Sequence, residues 1–98
     1  IREVVITPRA QAEIENICLF GIKRNEKIKK QFSNKINSIL NLIVENPELF
    51  PVSSINKKIR KVVISKQSSL YYHFNSKHII VLSVFDNRQN PTKINKIK

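Results

Sequence analysis

The sequence of 98 residues contains no methionine or tryptophan, one glycine and one cysteine. A single cysteine excludes an internal disulfide framework and a cysteine-rich zinc site. A single glycine excludes a glycine-rich phosphate-binding loop. No apolar run approaches the ~18 residues that a membrane-spanning helix requires. The chain therefore belongs to neither the small disulfide-stabilised proteins nor the P-loop nucleotidases nor the integral membrane proteins.

Acidic residues are also scarce, because 7 Asp and Glu against 18 Lys and Arg give a formal net charge of +11. So few carboxylates give little support to a two-carboxylate hydrolase or a paired-metal nuclease. The positive excess favours an anionic partner, which means nucleic acid, an acidic protein or a membrane surface. Residues 57–98 hold most of it, with 10 basic side chains and 1 acidic one, a net charge of +9.

The apolar fraction of 41% is enough for a modest core, and the length fits one domain. We therefore expect a single domain over residues 1–98, without repeats or linkers. No signal-peptide pattern is visible, so a cytoplasmic, reducing location is expected.

The N-terminal segment predicts a strand followed by a helix. Residues 2–7 are rich in β-branched side chains and stop at a proline, as strands often do. Thr7 can cap a helix that has Pro8 at its first position. Apolar residues at helical spacing carry this helix to about Phe20, and Gly21 stands where a helix end favours glycine.

A second, longer helix is predicted from the cap residue Asn25 to about Glu45. One face is apolar and the other carries lysine and asparagine, which is typical of a helix packed on a core. Pro47 ends it, because a proline disfavours helical geometry in the preceding residue. The two helices are expected to form an antiparallel hairpin.

Three β-branched and aromatic segments follow, at residues 59–64, 70–74 and 79–85. Their short connections favour consecutive antiparallel hairpins. Residues 79–85 are apolar on both faces, which is typical of an inner strand. The order β-α-α-β-β-β predicts an α+β domain whose helical hairpin packs on one face of an antiparallel sheet.

The sequence offers little support for a metal or another cofactor, and none is predicted. His73 and His78 stand five positions apart in a strand-turn-strand region with no further ligand beside them. Cys18 lies on the apolar stripe of the first helix, which favours a packing role over a nucleophilic one.

Basic residues are the remaining candidates for function. Lys57, Lys58, Arg60 and Lys61 open the first strand of the hairpin series, and Arg88 follows the last. A surface rich in lysine is commonly just solvated. Arg60, however, shares a strand face with apolar neighbours, where a planar guanidinium is most useful against a carboxylate or phosphate. Functional and structural roles remain equally open for both arginines.

Two adjacent tyrosines, Tyr71 and Tyr72, must point to opposite faces of the second hairpin strand. One is expected in the core and the other exposed. An exposed Tyr71 near Arg60 could stack on a base or hydrogen-bond a phosphate. The alternative is that both simply suit a strand.

This order of segments resembles the RelE/ParE superfamily, the toxins of bacterial type II toxin–antitoxin systems. The resemblance spans nearly the whole chain. It rests on the helical pair ending in Asn46-Pro47, followed by residues 59–63 (Ile-Arg-Lys-Val-Val), 70–74 (Leu-Tyr-Tyr-His-Phe) and 80–91 (Ile-Val-Leu-Ser-Val-Phe-Asp-Asn-Arg-Gln-Asn-Pro).

The resemblance implies a cognate antitoxin, usually with an acidic segment, that wraps and neutralises the toxin in a hetero-oligomer. It also implies growth inhibition and a role in plasmid stabilisation. RelE-like members cleave mRNA in the ribosome, where the ribose 2′-hydroxyl attacks its own phosphate. ParE-like members act on DNA gyrase instead. No membrane partner is implied.

Applied to this chain, the resemblance makes Arg60, Arg88 and His73 the catalytic candidates of a RelE-like enzyme. It makes Lys57, Lys58, Arg60, Lys61, Tyr71 and Arg88 the candidates for binding the target or RNA. Asp86 stands where many relatives have a non-acidic residue, and no Tyr or His follows Arg88. Without that late proton-transfer group, a ParE-like toxin is favoured over a ribonuclease.

Two alternatives remain open. One is the RelE-like, ribosome-dependent mRNA endoribonuclease. The other is a basic domain that binds nucleic acid without sequence preference and loses affinity steeply with salt.

Overall fold

The structure is a computed structural model and describes residues 2–18, 25–54, 56–65 and 68–86. The predicted helix end at Phe20 and Gly21, the basic residue Arg88 and the polar tail from Asn90 lie outside the described residues. The elements follow the predicted order and are β1 (Glu3–Ile6), α1 (Pro8–Asn16), α2 (Glu26–Glu45), β2 (Arg60–Val63), β3 (Ser68–Phe74) and β4 (His78–Asp86).

Both helices begin at the predicted caps. The Thr7 hydroxyl accepts a hydrogen bond from the Ala10 N–H at 3.2 Å, and Pro8 takes the first helical position. The Asn25 side chain accepts from the Ile28 N–H at 3.1 Å. Each cap satisfies a backbone donor that has no partner inside the helix, so short polar side chains define where the helices start.

The four strands form one sheet in the order β1-β4-β3-β2. The predicted hairpins are confirmed, because β2, β3 and β4 pair antiparallel. The sheet as a whole is mixed, however, since β1 pairs with β4 in parallel, with Glu3 opposite His78 and Ile6 opposite Val81. The two helices lie between β1 and the hairpins, and so long a connection allows either strand direction.

The main core lies between the helices and one face of the sheet. The predicted apolar face of α2 is buried there from Phe32 to Ile43, whereas Ile28 at its start is exposed. Cys18 is half-buried and packs against this core. The fold of two helices on one sheet face is therefore confirmed, as is the inner position of residues 79–85 in β4. The buried members are Ala10, Phe32, Ile36, Ile39, Leu40, Ile43, Val62, Ile64, Leu70, Tyr72, Ile79, Val81 and Val84.

Side chains complete the edge of β4 beyond the end of β1. The Thr7 hydroxyl donates to the Val81 carbonyl at 2.9 Å, and the Glu13 carboxylate accepts from the Ser83 hydroxyl at 2.7 Å and the Val84 N–H at 3.3 Å. Glu13 thus provides an acceptor that a neighbouring strand would otherwise supply. This arrangement protects an edge that could pair with another chain.

Candidate functional site

Arg60 begins β2 and faces the main core, as the sequence predicted. Its neighbours on that face, Val62 and Ile64, are buried in the core. The guanidinium Nη1 donates to the Phe50 carbonyl oxygen at 2.6 Å and lies 3.3 Å from that of Glu48. Arg60 therefore fastens the segment that follows α2 to the first strand of the hairpin series.

Tyr72 lies directly opposite Arg60 and fastens the same segment. The side chain is fully buried, and its hydroxyl donates to the Pro47 carbonyl oxygen at 2.7 Å. Burial raises the pKa of Tyr72, while the Arg60 charge and a hydrogen bond with the Phe50 backbone oppose this rise. Arg60 and Tyr72 together hold residues 47–50 against the sheet.

Two arginines pack on the same aromatic ring at the end of the sheet where β1 and β2 start. The guanidinium carbon of Arg60 lies 5.8 Å from the ring centroid of Phe74, and that of Arg2 lies 5.4 Å from it. Arg2 also donates from Nε to the Asn75 carbonyl oxygen at 2.7 Å. Both distances are within the range of a cation–π interaction. Sequence reasoning did not select Arg2 or Phe74.

The predicted lysines lie near the start of β2. Lys57 and Lys58 are exposed in the turn before the strand, and the Lys58 N–H donates to the Asn56 side chain at 2.9 Å. Lys61 is exposed on the opposite face from Arg60, with Nζ 6.0 Å from the Tyr71 ring centroid. We call Arg2 together with residues 57, 58, 60 and 61 the cationic end of the sheet.

The prediction that one of the tyrosines is exposed is wrong. Tyr71 is only 2% exposed and packs with Ile59 and Phe85 in a second, smaller cluster. Burial raises the pKa of its hydroxyl. The two rings do point to opposite faces, but each face has apolar neighbours to cover its ring. A stacking role for an exposed Tyr71 has no support in this arrangement.

His73 does not lie beside Arg60. Side chains alternate along β3, and because Tyr72 faces the main core, His73 faces the other side of the sheet. The structure therefore brings together Arg60, Arg2 and Phe74 and separates them from His73. Arg88, the remaining catalytic candidate, lies outside the described residues.

The ion pairs in the described ranges lie within the two helices. Among the described residues, one ion pair joins Arg9 to Glu13 at 3.7 Å and another joins Lys29 to Glu26 at 3.4 Å. Neither includes a residue of the cationic end. In the same part of the chain, no group of three potential metal ligands comes together. None of the described helices is long and apolar enough to cross a bilayer.

No protein-family model matches the sequence, and no curated protein matches it significantly. Solved structures do match the fold. The YoeB dimer from Staphylococcus aureus is 20% identical with a TM-score of 0.64, over 86% of this chain and 94% of that one. A YoeB/ParE toxin from Agrobacterium tumefaciens is 13% identical with a TM-score of 0.65, over 86% and 96%.

A third match is the DinJ–YafQ complex from Escherichia coli, with 13% identity and a TM-score of 0.62 over 88% of this chain and 93% of that one. These neighbours confirm the predicted resemblance as a shared fold. At such identities the likeness concerns the fold alone, because one fold can serve several activities.

Proposed function

We propose that this chain is the toxin of a type II toxin–antitoxin system, that a cognate antitoxin neutralises it, and that it inhibits growth through DNA gyrase in the manner of ParE. The shared fold supports the first part. The observation that carries the last part, inhibition of gyrase in place of RNA cleavage, is that Arg60 and His73 lie on opposite faces of the sheet.

RNA cleavage by the ribose 2′-hydroxyl needs a group that removes a proton close to the cation that stabilises the phosphate. His73 is the one histidine among the catalytic candidates, and it faces away from Arg60. This geometry favours a toxin that binds its target over one that cuts RNA.

The antitoxin is expected to present an acidic segment. The net charge of +11 and the absence of cationic-end residues from the described ion pairs favour an acidic protein partner. Toxin and antitoxin would form a hetero-oligomer in the bacterial cytoplasm. Such a pair can stabilise a plasmid, because cells that lose it can no longer replace the antitoxin.

The second candidate is a ribosome-dependent mRNA endoribonuclease, which the cluster of cations at the cationic end favours. Lys57, Lys58 and Lys61 are exposed and could contact phosphates. The third candidate is a basic domain that binds nucleic acid through charge and without sequence preference. Its binding to single strands is less well supported, since no aromatic side chain is exposed among the described residues and base stacking needs one.

Tightly induced expression in bacteria separates these functions. We expect growth arrest followed by DNA-damage signalling, and inhibition of supercoiling when purified chain is added to gyrase. Programmed ribosomes given the same protein should keep their mRNA intact. Cleaved mRNA with unaffected gyrase would establish the endoribonuclease instead, and uninterrupted growth would contradict both toxin functions.

Arg60→Gln, with Lys30→Gln as its control, tests the site in the same assays. Lys30 is exposed on α2, away from the sheet, so its replacement removes one charge without touching the cationic end. We expect Arg60→Gln to weaken gyrase inhibition at least about tenfold, since a charged hydrogen-bonding group is lost. Equal activity of the two variants would exclude Arg60 from target binding.

A further inference from the structure

Arg2 and Arg60 belong to one structural unit although Arg2 directly precedes β1 and Arg60 begins β2, at opposite edges of the sheet. The starts of β1, β2 and β4 meet the end of β3 at the same end of the sheet, as the pairing of Glu3 with His78 and of Arg60 with Tyr72 requires. Phe74, at the end of β3, is the shared element, since each guanidinium packs on its ring.

We propose that Arg2, Phe74 and Arg60 form a carboxylate-binding site that receives an extended acidic segment of a partner protein. A guanidinium has five N–H donors in a planar fork that fits a carboxylate. The main-chain bonds described above use Nε of Arg2 and one terminal nitrogen of Arg60. Donors therefore remain on both groups for a bound carboxylate.

The two guanidinium groups lie close enough together for one segment to reach both. The guanidinium carbons of Arg2 and Arg60 lie 5.4 and 5.8 Å from the centroid of the Phe74 ring. The distance between these two carbons therefore cannot exceed the sum of the two values. Side chains two residues apart on an extended strand lie about 7 Å apart on the same face. Alternate acidic residues of one strand can therefore reach both arginines.

Both guanidinium groups are held in advance of binding. Arg2 and Arg60 are half-buried, and each combines a main-chain hydrogen bond with contact to the Phe74 ring. Arginines fixed in this way lose less conformational entropy on binding than free surface lysines do. This distinguishes them from Lys77, which is exposed at the same end of the sheet.

A protein carboxylate fits the site better than a nucleic acid. Single-stranded nucleic acids usually need an aromatic face for base stacking, whereas the Phe74 ring is already packed by arginines and both tyrosines are buried. The site rests on the proposed function for its partner, a protein with an acidic segment, but its binding chemistry can be measured without any toxic activity.

The probe is a labelled peptide of alternating glutamate and valine, added to the full chain and followed by fluorescence anisotropy. We expect Arg2→Gln to weaken binding about tenfold and Arg2→Lys, which keeps the charge but not the fork, about threefold. Phe74→Leu should weaken it about threefold by releasing both guanidinium groups. Lys77→Gln, the local charge control, should change it less than about twofold.

Equal effects of Arg2→Gln and Lys77→Gln would overturn the site, because general charge would then explain binding. Stronger competition by an RNA oligonucleotide of equal charge, with the same dependence on Arg2, would overturn the choice of a carboxylate. Thermal melting of each variant identifies any loss of folding. If Phe74→Leu unfolds, the comparison of Arg2→Lys with the unchanged chain still tests the site. Peptide binding that depends on Arg2 in a chain that does not arrest growth would support the site and contradict the proposed function.

Discussion

The two faces of the sheet differ in how they bury a tyrosine. Tyr72 lies on the helix-covered face, surrounded by residues of α2 and the neighbouring strands, and its hydroxyl is bonded to Pro47. Tyr71 lies on the other face, where Ile59, Phe85 and the partly buried Leu82 form a cluster without a helical residue. Two adjacent residues are thus buried by different means.

The difference between the two faces explains why the candidate site around Arg60 lies on the helix-covered face. On the helix-covered face, the carbonyls of residues 47–50 accept hydrogen bonds from Tyr72 and Arg60, so a basic side chain is held rigidly at the core margin. On the other face, Lys61 only lies over a buried ring and stays exposed. A cation held by main-chain hydrogen bonds suits specific recognition better than one without such bonds.

Replacing each tyrosine by alanine gives the largest expected contrast between the faces. Tyr72→Ala should lower the free energy of unfolding by about 4 kcal/mol, because a large cavity opens in the main core. Tyr71→Ala should cost about 2 kcal/mol, since its smaller cluster has less to lose and can admit water. Urea denaturation measures both losses.

Val63, which is 63% exposed, serves as the control. Val63→Ala should change the free energy of unfolding by less than about 0.5 kcal/mol. Equal losses for the two tyrosines would remove the distinction between the faces.

Alkaline pH should destabilise both faces. Burial raises the pKa of Tyr71 and Tyr72 above the ordinary value of 10.0. The unfolded chain therefore releases these protons first, and stability that is complete below pH 10 falls as the pH rises through the folded-state values. We expect tyrosinate absorbance to appear together with the loss of helical circular dichroism.

The single-tyrosine variants Tyr71→Phe and Tyr72→Phe assign this ionisation to one face or the other. Each variant retains one of the two tyrosines. If that tyrosine ionises near pH 10 while the protein stays folded, its hydroxyl is accessible to solvent, which would contradict its burial.

The sequence predicted those parts of the fold that depend on neighbours along the chain. The caps Thr7 and Asn25, the order of the elements and the hairpins all follow from local patterns, and the structure confirms them. The parallel pairing of β1 with β4 could not be predicted in this way. The direction of β1 relative to β4, across two helices and two strands, depends on tertiary packing, which has no local signal.

The same limit applies to the candidate site. The position of Arg60 beside apolar residues was a visible signal, whereas Arg2 meets Asn75 across a sequence separation of 73 residues and gives none. The burial of Tyr71 also depends on distant residues, Ile59 and Phe85. Alternation predicted correctly that the tyrosines face opposite ways, but it does not report what covers each face.

The Tyr72 hydroxyl offers a smaller test of the helix-covered face. Tyr72→Phe keeps the ring but leaves the Pro47 carbonyl without this donor, so we expect a loss of about 1 kcal/mol in the free energy of unfolding. Tyr71→Phe is the matched control, because its hydroxyl makes no bond to residues 47–50, and its loss should be smaller. A larger loss for Tyr71→Phe would show that the second face also depends on a polar anchor.

The smallest effect is expected at Lys61. Variants of this residue distinguish the contribution of its charge from that of its alkyl chain, which covers the Tyr71 ring. Lys61→Met keeps an apolar chain over Tyr71 but removes the ammonium group, so it should cost only the cation–π interaction, about 0.5 kcal/mol. Lys61→Ala also removes the alkyl chain that shields the ring, and should cost more in chemical denaturation. If the two variants lose the same stability, charge alone accounts for Lys61. If alanine is worse, the alkyl chain of an exposed lysine helps to bury a tyrosine where no helix does.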